Sequence, residues 1–350
     1  MNAVLPPVRP DDIDVQVLGR WLSEHVEGFQ FPLSVERFPG GQSNPTYRLV
    51  TPETAYVMRT QPPGVLLKGA HAVDREHRVI KALNATEAPV PVAYALCEDQ
   101  GVIGRSFFVM EHVGGVIHWK PEFPDVPVAD RASYFDAMNG ALAYLHQVDP
   151  KAVGLEDFGK AGGYLARQIR RWTRQYEADP TAGRLDRMDA LAAWLAANVP
   201  DDDEVCIVHG DFRCNNLVFQ AGGPGLAAIL DWELSTLGHP ITDFAFHLMM
   251  YRVPPGIQGG GLKGIDLKAL NIPSEADYVA AYCRRTGRDD IPHLQFHLAY
   301  NLFRFAAIVH GIKGRALRGN ASSGRAHDVA GVLETFVDLA WDEAGRAGMA

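Results

Sequence analysis

Asp211, Asn216 and Asp231 are the residues of this chain whose types and spacing suggest chemistry. The first two stand in His209-Gly210-Asp211-Phe212-Arg213-Cys214-Asn215-Asn216, which follows apolar Ile207-Val208 and leads into Leu217-Val218-Phe219. Fifteen residues after Asn216, a second apolar run, Ala228-Ile229-Leu230, ends in Asp231-Trp232-Glu233. Two strands joined by a glycine-rich turn would bring the three side chains to one edge. One carboxylate there accepts or orients the proton of an attacking hydroxyl. An amide oxygen and a second carboxylate offer hard ligands to Mg²⁺, which is the donor set that phosphoryl transfer needs. Cys214 lies in the same loop, but no neighbouring base is visible to activate it, and it reads as a bystander.

A rival chemistry comes from the histidines. His239, Asp243 and His247 fall at i, i+4 and i+8, and His293 and His297 at i and i+4, which raises a metal-dependent hydrolase. There is no H-E-x-x-H, and an i, i+8 pair is too far apart along a helix to share one ion easily, so core or capping roles are favoured. The acidic run Asp201-Asp202-Asp203-Glu204 reads as a solvated loop before a strand.

Apolar periodicity supplies the elements that must position these groups. A first helix, with Asp11 and Asp12 as its caps, carries Val15, Leu18, Trp21, Leu22 and Val26 on one face. Strands follow at 34–38, 46–51 and 55–59, a helix at 71–83, and strands at 92–97 and 107–111. Beyond Gly114-Gly115 the chain is mainly helical, at 131–148, 164–176, 185–197, 241–250, 275–285, 293–312 and 326–343. Short strands at 205–208, 216–219 and 227–230 interrupt that series. The expectation is an α+β chain with a β-rich lobe over 1–113 and a larger, mainly helical lobe over 114–350, with no internal repeat.

The bulk properties exclude several classes. A net charge of −9 argues against a nucleic-acid partner, which needs a basic surface. No apolar run reaches the ~18 residues of a membrane span, and no secretory signal is visible at the N-terminus. The four scattered cysteines form no C-x-x-C pair, so the expectation is a cytoplasmic protein with reduced thiols.

The pattern His-x-Asp-x4-Asn followed by a strand-ending Asp resembles the catalytic loop and metal motif of the aminoglycoside phosphotransferase and choline kinase branch of the protein-kinase-like fold. The resemblance implies a bilobal fold with ATP and Mg²⁺ as cofactors. Asp211 would act on the substrate hydroxyl, Asn216 and Asp231 would bind magnesium, and His209 would be structural. Asp243 resembles the family's buried acid, which ties down backbone amides of the catalytic loop. Gly40-Gly41-Gln42-Ser43-Asn44 stands where the phosphate-covering loop belongs, so Gly41, Ser43 and Asn44 would contact phosphates. It lacks G-x-G-x-x-G, and a plain hairpin turn is the simpler alternative. Glu76 matches the kinase partner glutamate, and the strand ending in Glu111, with Val113 beyond it, would enter the hinge that binds adenine. The lysine expected to pair with Glu76 is replaced by Arg59, a planar fork that still bridges carboxylate and phosphate.

Three stretches carry the resemblance further. Met58-Arg59-Thr60-Gln61-Pro62-Pro63-Gly64, the run from Ile229 through Asp231-Trp232-Glu233 to Pro240, and Arg318-Gly319-Asn320-Ala321-Ser322-Ser323 are similar to kinase-like domains associated with acyl-CoA dehydrogenases. In that subgroup Arg at the lysine position is usual. The resemblance implies phosphorylation of the hydroxyl of a 4-hydroxyacyl-CoA and a functional link to an acyl-CoA dehydrogenase. Charge points the same way. Arg167, Arg170, Arg171 and Arg174 form a basic helical stripe, and Arg304, Lys313, Arg315, Arg318 and Arg325 form a tract without acids. Such tracts suit an anionic, acyl-CoA-like substrate better than a polycationic aminoglycoside, or they are solvated faces with ion pairs. The expected function is an ATP- and Mg-dependent kinase of a small-molecule hydroxyl. The alternatives are a kinase of an aminoglycoside or another small alcohol, a non-catalytic nucleotide-binding module, and the metal hydrolase.

Overall fold

The computed structural model describes residues 13–38, 44–62, 72–257, 260–318 and 326–350; within 326–330 only the backbone path is described. These residues divide into two compact units. One holds the chain up to Val116, Val153–Leu155 and Leu217–Ser235; the other holds Ile117–Ala152, Glu156–Asn216 and Thr236–Ala350.

The first unit opens with helix α1 (Val15–His25). Its cap is Asp14, whose Oδ1 accepts the N–H groups of Gln16 and Val17, rather than Asp11 or Asp12, which lie outside the described residues. Strands β1 (Ser34–Arg37), β2 (Thr46–Val50) and β3 (Ala55–Thr60) follow, then helix α2 (Val73–Leu83) and strand β4 (Ala93–Cys97). A one-turn helix α3 (Gln100–Ile103) and strand β5 (Phe107–Glu111) complete the series. The strands form an antiparallel sheet in the order β1-β2-β3-β5-β4. Period-two alternation sends Tyr47, Leu49, Tyr56, Met58, Phe107 and Val109 to one face, where they pack with Leu18, Leu22 and Val26 of α1. Arg59 is one position out of that set and lies opposite Phe108 in the register, so both point to the other face. Phe108 there meets the His77 ring of α2 at 5.9 Å, and Val79, Ile80 and Leu83 of α2 are fully buried.

A hairpin of β7 (Leu217–Phe219) and β8 (Leu226–Ile229) belongs to the same unit. It is tied there by backbone bonds between Val116 and Phe219 and from Ile229 N–H to Pro89 C=O. Gly115 makes this approach possible: its φ is +157°, and a Cβ there would overlap the Phe219 carbonyl oxygen.

The second unit is mainly helical, as expected. It contains α4 (Arg131–Leu145), α5 (Tyr164–Glu177), α6 (Asp186–Ala197), α7 (Pro240–Leu248), α8 (Glu275–Thr286), α9 (Leu294–Leu317) and α10 (Ala326–Arg346). Strand β6 (Cys206–Val208) pairs antiparallel with β9 (Thr236–Gly238), a strand too short for its alternation to stand out in the sequence. Every residue of α7 is buried, with Pro240 at its first turn and the His239 ring accepting the Ile241 N–H. Helix α9 runs past residue 312, where periodicity weakens at Gly311 and Gly314. Tertiary packing overrides the weak propensity of glycine there, because the Asp179 carboxylate lies where a Gly314 Cβ would stand.

Replacing Gly115 by Ala is expected to destabilise the protein by about 1–3 kcal/mol in urea unfolding. Gly114→Ala serves as the control, because a Cβ at Gly114 meets nothing within 4 Å.

Candidate functional site

Two constellations of functional side chains emerge, one in each unit. In the first, Arg59 reaches from β3 toward α2 and the turn that follows β8. Its Nη1 lies 3.1 Å from Glu76 Oε1, and its Nη2 lies 2.7 Å from Asp231 Oδ1 and 3.3 Å from Glu233 Oε2. Asp231 adopts φ +67° and ψ +62°, a left-handed conformation uncommon for a residue with a Cβ. The turn beyond it is pinned by buried Trp232, whose indole N–H donates to the Ile229 carbonyl. That combination turns the Asp231 carboxylate back onto Arg59.

The charges here do not balance. One guanidinium faces three acidic side chains, and Glu76 Oε2 is buried without a hydrogen-bond partner. Burial pushes the Glu76 carboxyl up to about 8; Arg59 opposes the shift, while Asp231 and Glu233 add to it. Burial would lower the Arg59 guanidinium, but Glu76, Asp231 and Glu233 together hold it above its ordinary value. Asp231 and Glu233 are partly exposed, whereas Glu76 is buried.

The second constellation is the loop after β6. Gly210 has φ +83°, which turns the chain sharply out of the strand. The N–H groups of His209 and Gly210 donate to the two oxygens of Asp243, each at 2.8 Å. This is the tie that the family resemblance implied. His209 is fully buried, and its Nδ1 accepts the Asp211 N–H at 3.2 Å. The Asn216 amide donates to both the carbonyl and Oδ2 of Asp211, each at 2.9 Å. Arg213 Nε lies 3.2 Å from Asp211 Oδ1. Burial would raise the Asp243 carboxyl, yet the His146 ring 3.2 Å away and the His209 amide outweigh it and hold the pKa below the usual carboxylate range. Cys214 is buried and its thiol is pushed up to about 12, so no thiolate forms at neutral pH.

The structure therefore brings Arg59, Glu76 and Asp231 together, and Asp211 with Asn216. Asn44 is buried, and its carbonyl accepts the Thr46 hydroxyl. Glu111 ends β5, where its carboxylate accepts the Val92 N–H; Val113 lies half-buried two residues beyond. Gly41 and Ser43 lie outside the described residues. Three participants went unassigned in the sequence reading. Glu233 had only its position two residues after Asp231 as a signal, and Arg213 only its place in the loop. His146, remote in sequence from Asp243, had none.

Other expectations need correction. Arg304 is not part of an exposed basic tract: it is buried, lies over Trp172 and Phe246, and donates to the Gly210 carbonyl. Arg318 pairs with Asp179, Lys313 donates to the Ala182 carbonyl, and Arg167 donates to the Gly162 and Lys160 carbonyls. Much of the basic patterning is thus internal capping and pairing. The histidines are engaged too. His247 contacts the Phe212 carbonyl and the Tyr278 hydroxyl, and His297 contacts the Thr242 hydroxyl. Among the described residues no group of three or more His, Cys, Asp or Glu side chains is placed to hold a metal, so the hydrolase alternative loses its ligand set.

Residues 34–297, most of the chain, match the profile of the Phosphotransferase enzyme family. The chain belongs to this family. A solved structure from Ralstonia eutropha, described as a candidate aminoglycoside phosphotransferase, is 45% identical with a TM-score of 0.87 over 95% of this chain and 98% of that one. The aminoglycoside phosphotransferase APH(4)-Ia, solved with AMP-PNP and hygromycin B, superposes with a TM-score of 0.60 over 93% of this chain and 99% of that one. At 13% identity it speaks for the protein-kinase-like fold alone. Among curated proteins, mouse acyl-CoA dehydrogenase family member 10 is 38% identical over 97% of this chain and 31% of its own length. Rat family member 11 is 40% identical over 89% of this chain and 40% of its own. The chain thus spans well under half the length of these relatives.

The buried histidines of this family member set a pH dependence. Burial pushes the His247 imidazole down to about 4. Burial, followed by the charges of His239 and His293, pushes His297 down to about 3. Both are neutral when folded, whereas the unfolded chain takes up these protons near pH 6.5. Below that pH the unfolded state binds more protons, so the stabilisation is complete above about pH 6.5 and is lost as pH falls toward the folded values. In urea unfolding each histidine is expected to lower stability by up to about 1.4 kcal/mol per pH unit as pH falls over that window, while Glu76, raised from 4.5 to about 8, opposes that slope above about pH 4.5. His297→Gln should remove its own contribution to the fall.

Proposed function

We propose that the chain transfers the γ-phosphate of ATP, with magnesium, to the hydroxyl of a small anionic molecule, and that a 4-hydroxyacyl-CoA is the acceptor. The observation that carries this reading is the Asp211 carboxylate, held by the Asn216 amide in a loop whose backbone N–H groups are fixed by Asp243. In this reading residues 1–113 bind nucleotide, with contacts from Gly41, Ser43, Asn44, Glu111 and Val113, while residues 114–350 carry the acceptor and the catalytic loop.

Asp211 accepts the proton of the acceptor hydroxyl as its oxygen attacks the γ-phosphorus, and the bond to the β,γ-bridging oxygen breaks to release ADP. Arg59, oriented by Glu76, would face the phosphates with a fork rather than a point charge. Asn216 and Asp231 would hold the magnesium ion, which neutralises phosphate charge when bound. The partial exposure of the Asp231 carboxylate is consistent with that role. Positioning and charge neutralisation do most of the work.

The acyl-CoA assignment is supported by the two dehydrogenase-named relatives, and it makes an acyl-CoA dehydrogenase a functional partner. A net charge of −9 disfavours a nucleic-acid partner. Among the described residues no helix is long and apolar enough to cross a membrane. The Ralstonia relative favours a second reading, an aminoglycoside or other small-alcohol kinase. A purely nucleotide-binding module is disfavoured by the presence of Asp211, Asn216 and Asp231 together.

An ATP-consumption screen across 4-hydroxyacyl-CoAs, free hydroxy acids, choline and aminoglycosides tests the acceptor. Turnover confined to aminoglycosides would overturn it. Asp211→Ala is expected to cut kcat by about 10²–10⁴-fold with little change in the Kd of Mg·ATP, and full activity would remove its assigned role. Asp231→Ala should weaken Mg·ATP binding in titration calorimetry.

A further inference from the structure

Beside the Asp211 loop, wholly within the second unit, lies a cavity of about 70 Å³. Its walls are apolar: Phe246 from α7, Met249 and Met250 from the turn after it, Val253, and Phe305 and Phe336 from α9 and α10. The last two rings pack at 4.7 Å and close one side. His247 also borders the cavity, but both its ring nitrogens already have partners, the Phe212 carbonyl and the Tyr278 hydroxyl. Among the described lining residues the other charged or ionisable group besides the Cys214 thiol is Arg213, which places its Nε 3.2 Å from Asp211 Oδ1. One side chain thus links the cavity to the carboxylate proposed to take the proton.

We propose that this cavity is the acceptor's tail subsite, taking a short unbranched alkyl segment of a hydroxyacyl molecule whose hydroxyl is directed at Asp211. The inference rests on the phosphotransferase reading above and adds what the acceptor must carry next to its hydroxyl. Size is the first argument: the cavity is less than half the ~150 Å³ apolar cavity that holds a benzene ring, so a narrow chain enters and a ring does not. Lining chemistry is the second. No acidic side chain occurs among its described lining residues, so a polycationic aminosugar finds no carboxylate within the apolar cavity itself. Methionine is the third, because flexible thioether side chains adapt to chains of differing length. Met250 is half-buried at the wall and is the position from which the cavity can be filled or enlarged.

The test uses the full chain with 4-hydroxypentanoyl-, 4-hydroxyoctanoyl- and 4-hydroxydodecanoyl-CoA, in the wild type, Met250→Trp and Met250→Ala. Filling the cavity should lower the ratio of kcat/KM for the octanoyl over the pentanoyl substrate at least tenfold. Enlarging it should raise the ratio for the dodecanoyl substrate. The Kd of Mg·ATP, read alongside, reports whether each variant is folded. Turnover of the ladder with the same ratios in folded variants would overturn the subsite and leave the kinase reading standing. If none of the ladder turns over, the acceptor assignment fails, and binding of octanoyl-CoA then decides the cavity. Binding weakened at least tenfold by Met250→Trp supports the subsite; binding that is absent in the wild type or equal in the variant overturns it.

Discussion

The N–H groups of His209 and Gly210 both point at one carboxylate, Asp243, which is itself almost without solvent. Burying a carboxylate costs several kcal/mol unless its oxygens are satisfied. Here the two amides and the His146 ring satisfy them, and Tyr282 stands behind that ring at 2.7 Å. Because a carboxylate only accepts, His146 Nε2 must carry the hydrogen that faces it. On the far side of the same turn, Arg304 donates to the Gly210 carbonyl. The backbone that presents Asp211 is therefore gripped from α7 and α9 at once, with His146 after α4 steadying Asp243, and the loop has little freedom to place that carboxylate elsewhere.

Glycine and asparagine complete that presentation. Gly210 turns the chain at a positive φ, and the Asn216 amide returns five residues later to hold both the carbonyl and the carboxylate of Asp211. Phosphoryl transfer asks a protein mainly for positioned charge. A carboxylate held through its own backbone and through its side chain meets that demand before any substrate arrives.

In the first unit the governing feature is an imbalance. Lysine would offer Glu76 a point charge, whereas Arg59 spreads its fork over Glu76, Asp231 and Glu233 and still leaves carboxylate in excess. The left-handed backbone at Asp231 keeps that carboxylate turned toward the guanidinium. Local strain at one residue thus sustains the ion pair between Asp231 and Arg59. Several arginines that look like an anion-binding surface are spent on carbonyls and nearby acids, and the cavity beside the Asp211 loop is walled mainly by apolar side chains.

Much was legible in the chain itself. The alternation of β2, β3 and β5, the helical series after residue 131, the spacing of Asp211, Asn216 and Asp231, and the pairing of Arg59 with Glu76 are all local patterns or family offsets. Side-chain period and loop chemistry act over a few residues, so the sequence carries them openly. Element ends were less readable where propensity and packing disagree, as at Gly311 and Gly314 inside α9 and at the three-residue strand β9. Contacts between residues far apart in the chain were not readable at all. His146 behind Asp243, Arg304 on the Gly210 carbonyl and Glu233 on Arg59 involve side chains whose chemistry is ordinary and whose meaning comes from the neighbour folding supplies. Residue type and spacing marked Asp211, Asn216 and Asp231 as candidates for phosphoryl transfer. Which charges are already spent on neighbours emerged only in the folded chain, because burial and pairing exist only once distant segments have packed together.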